Sequence, residues 1–211
     1  MAGDRPFGFG GVRFEENHGQ ADAAVRYIAR TRGQQVFLTD RGVVFSQPDG
    51  VPARMDFVGS SAARWTPIGA AGDSISYYIG NNPGKWVKEA PQYGRVVWRG
   101  VYPGVDLALY GHEDRLEYDL IFAPGADPSR VRIRFGDGAR VRSKADGTLE
   151  ISAGGSMMWQ RAPAIYQELT PGKRTKVEGR FVVAAGNSVR LKIGPYRPSK
   201  ELVVDPVIEA S

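Results

Sequence analysis

Apolar and polar residues alternate with a period of two along most of the chain, the pattern of strands that bury one face. Gln35–Thr39 and Gly42–Ser46 are β-branched and aromatic runs separated only by Asp40 and Arg41, and Arg54–Val58 alternates cleanly after Asp49-Gly50. Leu107–Tyr110 and Leu116–Phe122 flank the polar Gly111–Asp114 and predict a hairpin. In its second strand Leu116, Tyr118, Leu120 and Phe122 share one face, and Glu117, Asp119 and Ile121 share the other. Val131, Ile133 and Phe135 alternate with Arg130, Arg132 and Arg134, so one face is apolar and the other cationic. Asp137-Gly138 and Asp146-Gly147 punctuate the strands that follow. Phe181–Val183 and Val189–Ile193 form another hairpin, and Leu202–Val204 is a last short strand stopped by Asp205-Pro206.

Helical signals are few. Ala21–Arg32 is the best candidate, although Val25, Tyr27 and Ile28 fix no period, and Gly84–Glu89 has room for one turn. Ser60–Asp73, rich in Ala, Ser and Gly, is the longest expected surface loop. Turn signals at short intervals between alternating strands predict an all-β fold with little helix, an antiparallel β-sandwich. Residues 1–13, containing Gly8–Gly11, are expected to be a flexible leader, and 14–207 one β-rich domain. A division into two packed β-lobes would fall near Asp127-Pro128.

Composition narrows the chemistry. The 27 glycines and 14 prolines are about a fifth of 211 residues, an excess that favours turns. The chain has no cysteine, which excludes thiolate metal sites, thiol catalysis and disulfides. No apolar run has the ~18 residues of a membrane helix, so no membrane insertion is expected. No apolar stretch of a signal peptide follows Met1. The formal charge of +5 is spread along the chain, and the densest group is Arg130, Arg132, Arg134, Arg140 and Arg142. Its ordinary reading is a solvated strand face, with polyanion binding as the functional one. Nucleic acid is not an expected partner, because the cations are spread along the chain and not gathered into one stripe with interleaved aromatics.

Glu117 and Asp119 at i, i+2 point to one strand face, and Asp106 on the neighbouring strand can join them. Such carboxylates suit Ca²⁺ through oxygen ligands or the acid–base pair of a glycosidase; their ordinary reading is pairing with Arg95, Arg99 or Arg115. The two histidines, His18 and His112, show no metal-ligand spacing, and no G-x-S-x-G occurs. Asn17 and Gln20 lie in an amide-rich turn that suits either ligand hydrogen bonding or the tying of a sheet edge. Trp86, in the loop after Asn81-Asn82-Pro83, suits an exposed stacking platform or a lid over the core, and Tyr102 is a further candidate in an aromatic-rich chain.

Phe14–Gln20, Tyr77–Trp86, Val101–Leu107, Leu116–Asp119, Pro124–Pro128, Pro163–Glu168 and Leu202–Pro206, taken in order, carry a resemblance. Together they are similar to the N-terminal domain of unknown function of large bacterial secreted proteins with SBBP-type β-propeller repeats. A related version is found in gliding-motility-associated cell-surface proteins. The resemblance implies a β-rich module located outside the cell or in its envelope, with downstream repeat domains in the parent protein. It implies no reaction. The expected function is a non-catalytic extracellular or cell-surface module that binds a glycan or a protein partner, or supports the larger protein. The alternative is a carbohydrate-active, glycoside hydrolase-like enzyme using Asp106, Glu117 or Asp119. No cofactor is expected beyond Ca²⁺ at those carboxylates.

Overall fold

A computed structural model describes residues 11–31, 33–47, 50–69, 73–112, 115–136 and 138–210. Most of the expected leader thus lies outside the described residues, as do Asp49, Asp137 and the Glu113-Asp114 part of the first hairpin loop.

Strands follow one another with few interruptions. The chain begins with β1 (Phe14–Glu16), β2 (Val25–Thr31), β3 (Gln34–Thr39), β4 (Gly42–Ser46) and β5 (Ala53–Phe57). After these come β6 (Trp65–Ile68), β7 (Asp73–Tyr77), β8 (Val87–Tyr93), β9 (Arg95–Tyr102), β10 (Val105–His112) and β11 (Arg115–Phe122). The second half holds β12 (Arg132–Phe135), β13 (Ala139–Ser143), β14 (Leu149–Ala153), β15 (Ser156–Gln160) and β16 (Ala164–Thr170). Then follow β17 (Lys173–Lys176), β18 (Gly179–Ala184), β19 (Ser188–Ile193), β20 (Leu202–Asp205) and β21 (Val207–Ala210). Helix among the described residues is confined to two 3₁₀ turns, Pro83–Lys85 and Pro128–Arg130. Each has Pro at its start and an Asn or Asp side chain accepting from a backbone N–H.

The strands form two antiparallel sheets packed face to face. The first runs β18-β19-β12-β5-β4-β3-β2-β1-β8-β7. The second runs β13-β14-β15-β21-β11-β10-β9-β6, with β20 beside β11 and the β16–β17 hairpin beside β20. The fold is an antiparallel β-sandwich, as the alternation predicts. Both sheets draw strands from either side of Asp127-Pro128, and one cluster of buried side chains, from Phe14 through Trp98 and Tyr118 to Phe181, fills the space between them. Val12 also packs there, over Gly111, where an added Cβ would meet it at 2.5 Å.

Two expectations need correction, and one strand end moves. Ala21–Arg32 is not helical: Val25–Thr31 is a strand, because its β-branched and aromatic residues pair with β1 on one side and β3 on the other. Ser60–Asp73 is not a continuous loop: β6 pairs with β9, and Pro67 is tolerated because this strand lies at a sheet edge. Asp205-Pro206 interrupts β20 without ending the sheet. The Pro206 carbonyl accepts from Tyr118 N–H at 3.4 Å, and β21 continues along the same neighbour, β11. The alternation of the arginine strand is as read: Val131, Ile133 and Phe135 are buried, and Arg130, Arg132 and Arg134 are exposed.

Candidate functional site

The three residues of β1 place a carboxylate where carboxylates are rarely found. Phe14 faces the core, so Glu15 must point to the outer face of the first sheet, opposite Ile28 of β2 and Gln92 of β8. Its side chain is nonetheless only 1% exposed. A buried carboxylate needs donors to replace water, and three converge on it. Gln20 Nε2 donates at 2.6 Å to Oε1, while an Arg30 guanidinium nitrogen and the Tyr77 hydroxyl each donate at 2.7 Å to Oε2. The Arg30 guanidinium also lies 5.7 Å from the centre of the Tyr77 ring. Burial, then the hydrogen bond to Glu15, push the Tyr77 phenol above its ordinary pKa. Burial pulls the Arg30 guanidinium down, but the hydrogen bond and charge of Glu15 more than offset it, and its pKa is raised.

Asn17 holds the turn that delivers Gln20. Its amide nitrogen donates to the carbonyls of Ala21, Asp22 and Val25 at 3.3, 2.9 and 2.9 Å, and its oxygen accepts from the N–H groups of Gly19 and Ala21 at 3.1 Å. Gln20 completes its own set by donating to Glu16 O and accepting from His18 N–H, both at 2.7 Å. The amide-rich turn therefore ties the chain to itself and to the glutamate. Asn17→Ala is expected to cost about 2 kcal/mol, since five partners lose a hydrogen bond in a partly solvated turn. Asn17→Asp, which keeps the acceptor and loses the donor, should cost about as much; urea denaturation midpoints of the two variants check this.

Beside the hub lies a groove of about 760 Å³. Ile28, Phe37, Val44, Ile79 and Val87 give it apolar walls, and Gln20, Arg30, Gln35 and Lys85 stand around them. The segment after β7 leaves Tyr78 and Ile79 62% and 73% exposed. Trp86 closes that segment: its indole N–H donates to Gly80 O at 3.1 Å, and Tyr78 packs edge-on at 5.3 Å. The half-buried Trp86 thus anchors the groove's flap and presents no open flat platform.

The other candidates stand elsewhere. Tyr102 is buried, and its hydroxyl lies 3.1 Å from the carbonyl oxygens of both Val58 and Arg132, joining the second sheet to the ends of β5 and β12. Burial raises its pKa. Asp106 pairs with Arg99 at 2.7 Å and accepts from Gly100 N–H at 2.8 Å, where the register of β9 and β10 shifts. Gly100 has φ +62°, which is strained for most other residues. Asp119 accepts from the Tyr110 hydroxyl at 3.0 Å, with Arg95 3.7 Å away, and Glu117 lies 3.9 Å from His112 Nδ1. Register puts Asp106, Glu117 and Asp119 on the same outer face of the second sheet. Among the described residues no group of three or more His, Asp or Glu side chains is arranged to hold a metal ion, and no helix there is long and apolar enough to cross a membrane.

Sequence reasoning singled out Asn17, Gln20 and Trp86 but not Glu15, Arg30 or Tyr77. The resemblance carries the signal for Glu15 and Tyr77, since Phe14–Gln20 and Tyr77–Trp86, blocks more than fifty residues apart, meet at one carboxylate; Arg30 lies in neither block and is joined to them only by the fold. The profile of a family described as a domain of unknown function, DUF7948, matches residues 14–207. The chain belongs to that family. No curated protein and no solved structure matches it. In this DUF7948 member the match begins at Phe14, so β1, the hub and the groove all lie within it.

Proposed function

We propose that this chain is a non-catalytic extracellular module of a larger repeat-containing protein, and that it holds a protein partner in the groove beside Glu15. The groove carries the reading: apolar walls with a few fixed polar groups suit selective binding. The Glu15 carboxylate is already occupied by three donors, so it stiffens the floor and leaves the outward nitrogens of the half-exposed Arg30 to meet a ligand. With Lys85 also lining the groove, the complement is a peptide segment bearing a bulky apolar side chain next to a carboxylate. A protein partner fits better than a glycan here, because four of those five apolar wall residues are aliphatic, Phe37 being the exception, and the one tryptophan nearby is engaged edge-on by Tyr78. The extracellular setting and the downstream repeats are supported by the residue-level resemblance described above.

Selection from a phage-displayed random peptide library tests the reading. Enriched peptides should share an apolar residue beside Asp or Glu and lose roughly tenfold or more in affinity for Ile79→Asp or Val44→Glu, through loss of the apolar anchor site. No common motif, or binding indifferent to both substitutions, overturns it.

A further inference from the structure

At the far end of the first sheet from the groove, the outer face is cationic. β12 pairs with β19 so that Arg132 stands directly opposite Arg190, and β19 pairs with β18 so that Lys192 stands opposite Arg180. On the other side of β12, Arg134 stands opposite Asp56 of β5. Like charges directly opposite each other destabilise a strand pair, and here two such pairs sit side by side. Asp56 is 3.5 Å from Arg54 and 4.0 Å from Arg134, and it serves those two. Arg132, Arg180, Arg190 and Lys192 are all exposed and have no carboxylate within ion-pair distance among the described residues. The cluster differs from the one the sequence suggests. Arg140 and Arg142 belong to β13 in the other sheet, and their place is taken by residues some fifty positions downstream of Arg132.

We propose that this face binds an acidic polysaccharide whose charges are carboxylates, a polyuronate, independently of the groove. Strands lie ~4.8 Å apart and same-face residues ~6.8 Å apart along each. The cations therefore form a regular array on one face across β18, β19 and β12, matched to a polymer with repeating charge. Guanidinium forks meet the two oxygens of a carboxylate bidentately, and three of the four free cations are arginines. Two other classes of partner lack something here. A protein interface needs a desolvated apolar centre, and Val182, 38% exposed, is the one large apolar side chain exposed between the basic pairs. Single-stranded nucleic acid needs aromatic platforms for its bases, and no aromatic residue lies on this face of β12, β18 or β19. A chain of acidic sugars has no side chains to bury and needs neither.

The 211-residue chain passed over immobilised polygalacturonate by biolayer interferometry should bind saturably and weaken as salt rises from ~50 to ~200 mM, as ion release requires. Arg132→Glu combined with Arg190→Glu should lower affinity by roughly tenfold or more, since two charge-assisted contacts become repulsive. Ile79→Asp, at the groove, should leave this binding unchanged, which separates the proposal from the groove reading. Arg132→Ala serves as the conservative check: it should weaken binding without lowering the melting temperature, because it also removes a like charge opposite Arg190. No saturable binding, or binding unmoved by charge reversal in a variant that melts like the wild type, overturns the proposal. Tighter binding to duplex DNA or to vesicles of anionic lipid than to polygalacturonate overturns it too, in favour of those partners.

Discussion

Arg30→Met should destabilise the protein by roughly 3 kcal/mol, toward the lower end of the cost of stripping a buried charge of its partner. Glu15 is 1% exposed while Arg30 is 44% exposed, so the loss falls on the glutamate. Its carboxylate would stay enclosed with only the Gln20 amide and the Tyr77 hydroxyl as donors. Solvent around the guanidinium already screens part of the attraction, which argues for the lower end. Glu15→Leu removes the buried charge together with the need for its donors, and should cost less than the loss of three hydrogen bonds suggests. The double variant should therefore cost clearly less than the sum of the two singles. Equilibrium denaturation of the four proteins measures this coupling. Strict additivity would mean that Glu15 and Arg30 do not form the centre of the hub.

Trp98→Ala should cost more, about 3–5 kcal/mol, and leave a cavity in the middle of the sandwich. Trp98 is fully buried on β9; Phe57 of the opposite sheet meets it edge-on at 5.9 Å, and Trp65 of β6 lies 5.4 Å away. The residue thus joins the two sheets and an edge strand at once. Its indole N–H is buried without a partner among the described residues. Trp98→Phe discards that unpaired donor along with part of the ring, so its cost should be well under half that of the alanine variant. Thermal and chemical denaturation of both variants check the order. Equal losses would mean that the indole N–H, rather than the ring's bulk, dominates at this site.

Most strands are legible because a half-buried strand writes its burial into a two-residue period, as in Val131–Phe135 and Leu116–Phe122. β2 is not, since Ile28 and Ala29 are both buried, one beneath the groove and one in the core, and the alternation is lost. β6 has four residues with a proline among them, too little to stand out from a loop. Which strands become neighbours is set by packing across the whole chain, and nothing local announces that β12 lies between β5 and β19. The same holds for the hub. Asn17 and Gln20 stand out as an amide-rich turn, but Glu15 reads as one acid of a pair until its strand direction and the three donors are known. The arginine strand shows the converse: its exposed face is plain from alternation, while the cations that share it come from a distant hairpin.

The position of the β18–β19 hairpin governs the order in which the molecule can be made. β12 gains one neighbour from residues 53–57 and the other from residues 188–193, so the first sheet is complete only when nearly the whole chain is present. Contacts this distant in sequence slow folding into the millisecond-to-second range, because loops must close before the pairings they permit are gained. A chain emerging from its N-terminus would hold Ile133 and Phe135 on an open edge until the hairpin arrives. The window between those two moments is when this protein is most exposed to misassembly, and when a carrier that keeps chains extended has the most time to act.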